Sequence, residues 1–345
     1  MFPMKKNTTA GLLTLCLTLL SATGCTETDR NAISVLVFIP GVLAGSPTYE
    51  MMAEGAQEFA RQHEGAVEIR VHEAGFNQAT WEEQLMGMVA GGGFDLVLTT
   101  NPALPELAAN VARAFPEQKF IITDAYLAGN PQIMTRMFNM YEQALFLGYL
   151  AGLVSASDMP HANDGRRIGF IAAQEFPMLS RWIVPGFIEG ARRADPAFEL
   201  DFRVIGSWAD AGAAAQLANG MIDAGVDVFT AIAGGATQGL IHTIRERGAY
   251  AVFFNTNEYA QAPGLVVGSG IMRQKELTME TLAEFLAGET RFGTAAQVGA
   301  REGYIDFIFD DPGFRDNVPV EIQERLETFV EDLREGRIEF ALPPL

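Results

Sequence analysis

The chain has 345 residues, 43 acidic and 24 basic, for a net charge of −19; at ~150 residues per domain this length suggests about two domains. So acidic a chain is a poor partner for nucleic acid or for an anionic lipid surface, whose own negative charge repels it. Two cysteines build no disulfide framework, so a hydrophobic core must hold the fold together.

Lys5 and Lys6, the apolar residues 11–20, and Ser21, Ala22, Thr23 and Gly24 before Cys25 read together as a secretion signal. The apolar run falls short of the ~20 residues that a bilayer span needs. This segment resembles a bacterial lipoprotein signal, with Ala22 where most carry leucine, a looser pattern seen in spirochaetes. The resemblance implies removal of residues 1–24 and a lipid on Cys25. The polar stretch 25–32 would then tether the body to a membrane, on the periplasmic side of the cell envelope.

Residues 34–39 are an unbroken apolar, β-branched run, read as a strand buried on both faces and ended by Pro40 and Gly41. Helical spacing of Met51, Met52, Ala56 and Phe59 begins after Pro47, with Ser46 as the N-cap. Strands at 67–71, 94–100 and 120–124 then alternate with helices at 81–89 and 106–115. The pattern resets near 138–141, and a helix at 143–156 opens a second series. Its strands fall at 167–172, 202–206, 226–231 and 251–255, and its helices at 179–193, 211–224 and 238–247. A strand at 264–272 and helices at 276–286 and 320–336 close the chain. Such alternation predicts an α/β protein whose two lobes are doubly wound parallel sheets.

No catalytic set emerges. The G-x-S-x-G elbow of α/β hydrolases is absent, and His63, His72, His161 and His242 lack metal-ligand spacing. The glycines at 91–93 and 234–235 lead into no phosphate-loop lysine or dinucleotide fingerprint. Gly234 and Gly235 do follow a strand and precede a helix, which leaves their backbone N–H groups either facing a ligand or forming a plain turn. A two-lobed exported protein without catalytic groups, catalytic cofactor or metal site reads as a binding protein rather than an enzyme.

A set of short motifs in fixed order is similar to the basic membrane protein or purine-nucleoside-receptor-A group of substrate-binding lipoproteins for ABC importers. These are 93–97 (Gly-Phe-Asp-Leu-Val), 112–124, 146–152 (Phe-Leu-Gly-Tyr-Leu-Ala-Gly), 168–170, 186–191, 225–229, 233–235 and the ending 320–342. The resemblance implies a type I periplasmic-binding fold, two lobes joined by a three-segment hinge, with a small-molecule ligand in the cleft and an importer permease as partner. Lobe one is expected at 33–138 plus 273–290, and lobe two at 139–272 plus 291–345. Closure would bury the ligand, so both lobes must touch it.

The first loop of the nucleoside-binding members carries two aspartates and a base-reading asparagine; here Ala44, Gly45 and Tyr49 stand at those places. Amides replace a second carboxylate pair at Asn255 and Asn257, and the family's lysine falls on Met272 or Arg273. Carboxylates suit vicinal hydroxyls, so their loss weakens the case for a ribose. The candidate ligand contacts are Phe38, Tyr49, Asn101 and Asp124 in lobe one, Phe176, Trp182, Gly234, Gly235, Asn255 and Asn257 in lobe two, and Met272 with Arg273. Phe38, pointing inward from a buried strand, also reads as core. Rings and amides suit a flat heteroaromatic ligand with a hydroxylated chain. Riboflavin fits, and a spirochaetal branch of the group binds riboflavin; a purine nucleoside is the alternative ligand. A flavin-processing enzyme and a surface adhesin on a reused fold are the readings from other classes.

Overall fold

The computed structural model describes residues 32–343. The signal at 1–24, Cys25 and nearly all of the tether at 25–32 lie outside the described residues.

The first half is strand β1 (Ile33–Ile39), helix α1 (Pro47–Gln62), β2 (Val67–Glu73), α2 (Trp81–Ala90), β3 (Leu96–Thr100), α3 (Leu104–Ala114), β4 (Lys119–Thr123) and β5 (Ile133–Phe138). The second is α4 (Met140–Ser155), β6 (Arg167–Ala172), α5 (Val184–Ala194), β7 (Glu199–Val204), α6 (Ala211–Asp223), β8 (Val228–Ile232), α7 (Thr237–Arg247), β9 (Tyr250–Phe253) and β10 (Val266–Met272). After it come α8 (Gln274–Leu286), β11 (Ala295–Val298), β12 (Ile305–Phe307), α9 (Pro312–Arg315) and α10 (Val320–Arg334). The strands form two six-stranded sheets, in the orders β11-β5-β4-β3-β1-β2 and β12-β10-β9-β8-β6-β7. All pairings are parallel except β10 with β12.

Central strands are apolar throughout because helices cover both faces: every residue from Val35 to Ile39 is fully buried. Ser46 stands at the N-cap position of α1, where its side chain makes no capping bond; Pro47 at the first helical position supplies the start. Helix α4 is buried on nearly all sides, so it shows no amphipathic face. It meets α5 closely through glycines: a Cβ on Gly148 would lie 1.9 Å from the Phe187 carbonyl oxygen, and one on Gly190 2.0 Å from that of Leu145. This contact is the physical content of the motifs at 146–152 and 186–191.

Three crossovers join the sheets, at Asn139, at Arg273 and at 299–304. They are bonded to one another, since Asn139 N–H donates to the Val298 carbonyl (2.8 Å) and Arg273 N–H to that of Tyr304 (2.9 Å). One boundary differs from expectation. Residues 291–298 run with the first sheet, because β11 pairs in parallel with β5; the change of lobe expected at 290 comes after Val298. The short strands β5, β11 and β12 were invisible to periodicity, β11 because its residues alternate too little over four positions to show a buried face.

Candidate functional site

In parallel α/β sheets ligands sit beyond the carboxyl ends of the strands. The chain leaving β10 arrives at one of them: Gln274, which opens α8 just after β10, donates from Nε2 to Thr123 Oγ1 at the end of β4 (2.9 Å). Both partners are buried.

Three of the four non-glycine residues with positive φ among the described residues cluster at such ends. Asn101 (φ 112°) follows β3, Asp124 (φ 51°) follows β4 and Asn255 (φ 73°) lies just past β9. Each conformation costs on the order of 1–3 kcal/mol, and such strain persists where function needs a side chain aimed against backbone preference.

On lobe one these residues form a connected wall. Asn101 Nδ2 donates to the Tyr49 hydroxyl (3.0 Å), while Asn101 Oδ1 accepts from Ala103 N–H (2.9 Å). Burial pushes the Tyr49 phenol above its usual value, Asn101 partly offsets this, and the nearby Asp124 charge adds to it. Burial also pushes the Asp124 carboxyl up to about 7, and its buried Oδ1 has no hydrogen-bond partner. A buried acceptor left unmade costs ~1–3 kcal/mol, which a ligand N–H or O–H would recover.

Lobe two answers with a ring, bare backbone and one amide. Asn255 Oδ1 is likewise buried and unpartnered. Gly234 (φ 54°) begins the turn into α7, and a Cβ there would come within 3.3 Å of the Trp208 ring. The Trp208 carbonyl accepts from Ala236 N–H (3.0 Å), which fixes the tryptophan beside the glycine pair with its indole 44% exposed. Trp208 and Phe76, 76% exposed, occupy matching places in the two halves. Each lies in the loop after the second strand of its lobe, β7 or β2, and those strands form corresponding edges of the two sheets. The sequence reading missed both; the available signal was an aromatic ring in a strand-to-helix loop.

Several nominated residues serve other ends. Phe38 is fully buried in the lobe-one core beside Leu36 and lies against His72, with ring centroids 5.6 Å apart; its ring is core, a correction to its nomination as a ligand contact. Trp182 is a second correction: it is 2% exposed, and its indole N–H donates to the Pro343 carbonyl (2.7 Å), so it pins the C-terminal segment. Met272 is core. Arg273 pairs with Asp306 (3.4 Å) at the hinge, and Asn257 is engaged by Asp311 (2.8 Å) and Tyr259 N–H (3.2 Å). Phe176 lies half-buried against the lobe-two core after β6. The residues left at strand ends are thus Tyr49, Asn101 and Asp124 together on lobe one, and on lobe two Gly234 and Gly235 beside Trp208, with Asn255 past β9.

A groove of about 570 Å³ runs beside α10, but its Arg315, Arg334 and Arg337 are each paired with a carboxylate. Paired groups offer a ligand little, so the unpaired acceptors at the strand ends outrank it. Among the described residues no group of three or more acidic, histidine or cysteine side chains is placed to hold a metal.

Residues 32–334 match the family model for PnrA-like ABC transporter substrate-binding proteins. The chain belongs to that family. It is 23% identical over 318 residues to basic membrane protein A1 of Borrelia garinii, covering 90% of this chain and 89% of that one. It is 28% identical over 149 residues to a purine-binding protein of Brucella abortus, covering 43% of this chain and 39% of the other. Among solved structures, an ABC transporter solute-binding protein of Aeropyrum pernix superposes with a TM-score of 0.74 at 20% identity, over 90% of this chain and 94% of its own. A transcriptional activator of the comK gene from Bacillus halodurans superposes with a TM-score of 0.72 at 18% identity, over 89% and 99%. Membership makes this an extracytoplasmic solute-binding protein, not an enzyme, with a small molecule as ligand and a permease as partner. Among the described residues no helix is long and apolar enough to cross a membrane.

Proposed function

We propose that this PnrA-like protein is a lipid-anchored riboflavin receptor for its importer. The observation that carries the reading is the exposed Trp208 indole beside Gly234, opposite a lobe whose polar groups are amide, phenol and a single buried carboxyl. A three-ring ligand stacked on the indole gains ~0.5–1.5 kcal/mol beyond its buried area. Its imide N–H matches the unpartnered Asp124 Oδ1, and its polar edges match Asn255. The lipid on Cys25 would hold the protein at the membrane while two lobes close on the ligand.

A purine nucleoside is the second reading, favoured by the resemblance to the Brucella purine-binding protein and by the retained Asp124, which accepts equally from a purine N–H. Titration of the purified protein decides: riboflavin should bind with loss of both flavin and tryptophan fluorescence. Tight inosine or guanosine binding without flavin binding would overturn the first reading and establish the second. Mass analysis of the intact membrane form should show a diacylglyceryl-sized addition on Cys25, and a mature chain without one removes the anchor.

A further inference from the structure

A partly open pocket lies at the hinge and shares no residue with the strand-end site. It holds about 520 Å³, within the ~300–1,000 Å³ range of small-molecule sites. Its walls come from the first crossover, the third crossover and the segment after α10.

Its charge is one-sided. Glu142, Glu302 and Glu339 line it against a single cation, Arg301. Glu142 Oε2 accepts from Ala300 N–H (2.7 Å), seated where a Cβ on Gly299 would collide with it at 2.2 Å. Asn139 is 7% exposed, lines the same space, and leaves its Oδ1 buried without a partner. Burial holds the Glu142 carboxyl up at about 7, with the Glu302 charge adding to the effect and Ala300 N–H, Arg301 and Asn139 working against it. Nearby Ile338 and Phe340 add apolar surface, the latter stacked on Tyr141 with centroids 5.0 Å apart.

We propose that this hinge cavity is a second ligand site, taking a small organic cation whose ammonium or guanidinium group bonds Glu142 and Asn139 while its short hydrocarbon stem lies on Ile338 and Phe340. Glu302 Oε2 accepts from Gly299 N–H (2.8 Å), but the unpartnered Asn139 Oδ1 calls for a donor, and carboxylates outnumbering the guanidinium call for a positive one. An occupant would touch two of the three crossovers at once. To the extent that it fits one lobe arrangement better than the other, it biases lobe rotation, and by linkage the cleft ligand changes the cation's affinity by the same factor.

Agmatine is the probe, with n-butanol as the uncharged control of similar stem. Calorimetry of the full chain should show saturable agmatine binding and none for butanol, and amide NMR shifts should fall at Asn139, Gly299 and Gly336. Glu142→Gln should weaken agmatine by at least about tenfold, the loss of one charge-assisted bond. Ile338→Trp, which fills the space without touching an acid, should abolish it while riboflavin or inosine binding in the cleft and the circular dichroism stay as in the parent. No agmatine binding, equal binding by butanol, unchanged binding in either variant, or shifts at Trp208 and Asn255 instead would each overturn the assignment. Because cleft binding is read separately, neither result depends on which cleft ligand is correct.

Discussion

The two lobes share a topology but present opposite chemistry where their strands end. Lobe one offers a hydrogen-bonded wall in which Asn101 fixes Tyr49 and Asp124 stands buried beside them. Lobe two offers an exposed indole, glycine backbone and a lone amide acceptor at Asn255. On the function proposed above, one lobe reads the polar edge of the ligand and the other covers its face. The difference teaches how the work of a cleft can be divided: lobe one supplies most of the direction, through Asn101, Tyr49 and Asp124, and lobe two supplies an open indole face.

The sharpest way to break this contrast is to compare two tryptophans. Trp182→Ala removes a core ring and the bond to Pro343, and should cost ~3–5 kcal/mol of stability with ligand affinity intact in whatever remains folded. Trp208→Ala should do the reverse, weakening a flat ligand by roughly 30-fold, about 2 kcal/mol from lost stacking and buried area. Thermal unfolding and fluorescence titration read the two effects separately. If Trp208→Ala leaves affinity unchanged, lobe two covers the ligand by other means.

That pair also shows what a sequence can and cannot display. Strand and helix alternation made the sheets legible, because periodicity reports burial directly. Asn101, Asp124 and Asn255 were nominated as ligand contacts at strand ends; their positive φ is a backbone feature that no residue period announces. Which aromatic faces the cleft was hidden. Phe38, Trp182 and Trp208 all border strands or helix starts, and only tertiary packing separates two core rings from one exposed ring. Strand β11 was lost for a similar reason, since four residues of which only Val298 is buried carry no period until β5 supplies the partner.

Asp124 sharpens the polar half of the contrast. Its carboxyl is raised from 3.8 to about 7 in the folded protein, so the native state holds a proton that the unfolded chain releases near pH 4. The group's contribution to stability is thus full at low pH and declines as pH climbs from about 4 to 7. A ligand that donates to the carboxylate favours the ionised form, so binding expels the proton. Affinity should rise by up to roughly tenfold per pH unit on approaching 7 and level off above it. Asp124→Asn should flatten that profile. Stability will keep a residual slope in the variant, because Glu142 and Asp227 are also raised by burial, to about 7 and about 6. An unchanged affinity profile would remove Asp124 from the ligand's edge.

The smallest expected effect tests whether the wall is preorganised. Tyr49→Phe deletes the hydroxyl that accepts from Asn101 Nδ2 but keeps the ring. The lost bond is worth ~1 kcal/mol, and two outcomes divide it between the free and bound states. If the wall is already set before the ligand arrives, apo stability falls by that amount and affinity drops only a few-fold, through an amide now free to rotate. If the ligand itself assembles the wall, apo stability is unchanged and the whole loss appears in affinity, with a slower association rate because Asn101 must find its position each time. The strained backbone at Asn101 (φ 112°) favours the first outcome, since a residue held against its own preference is held before the ligand comes.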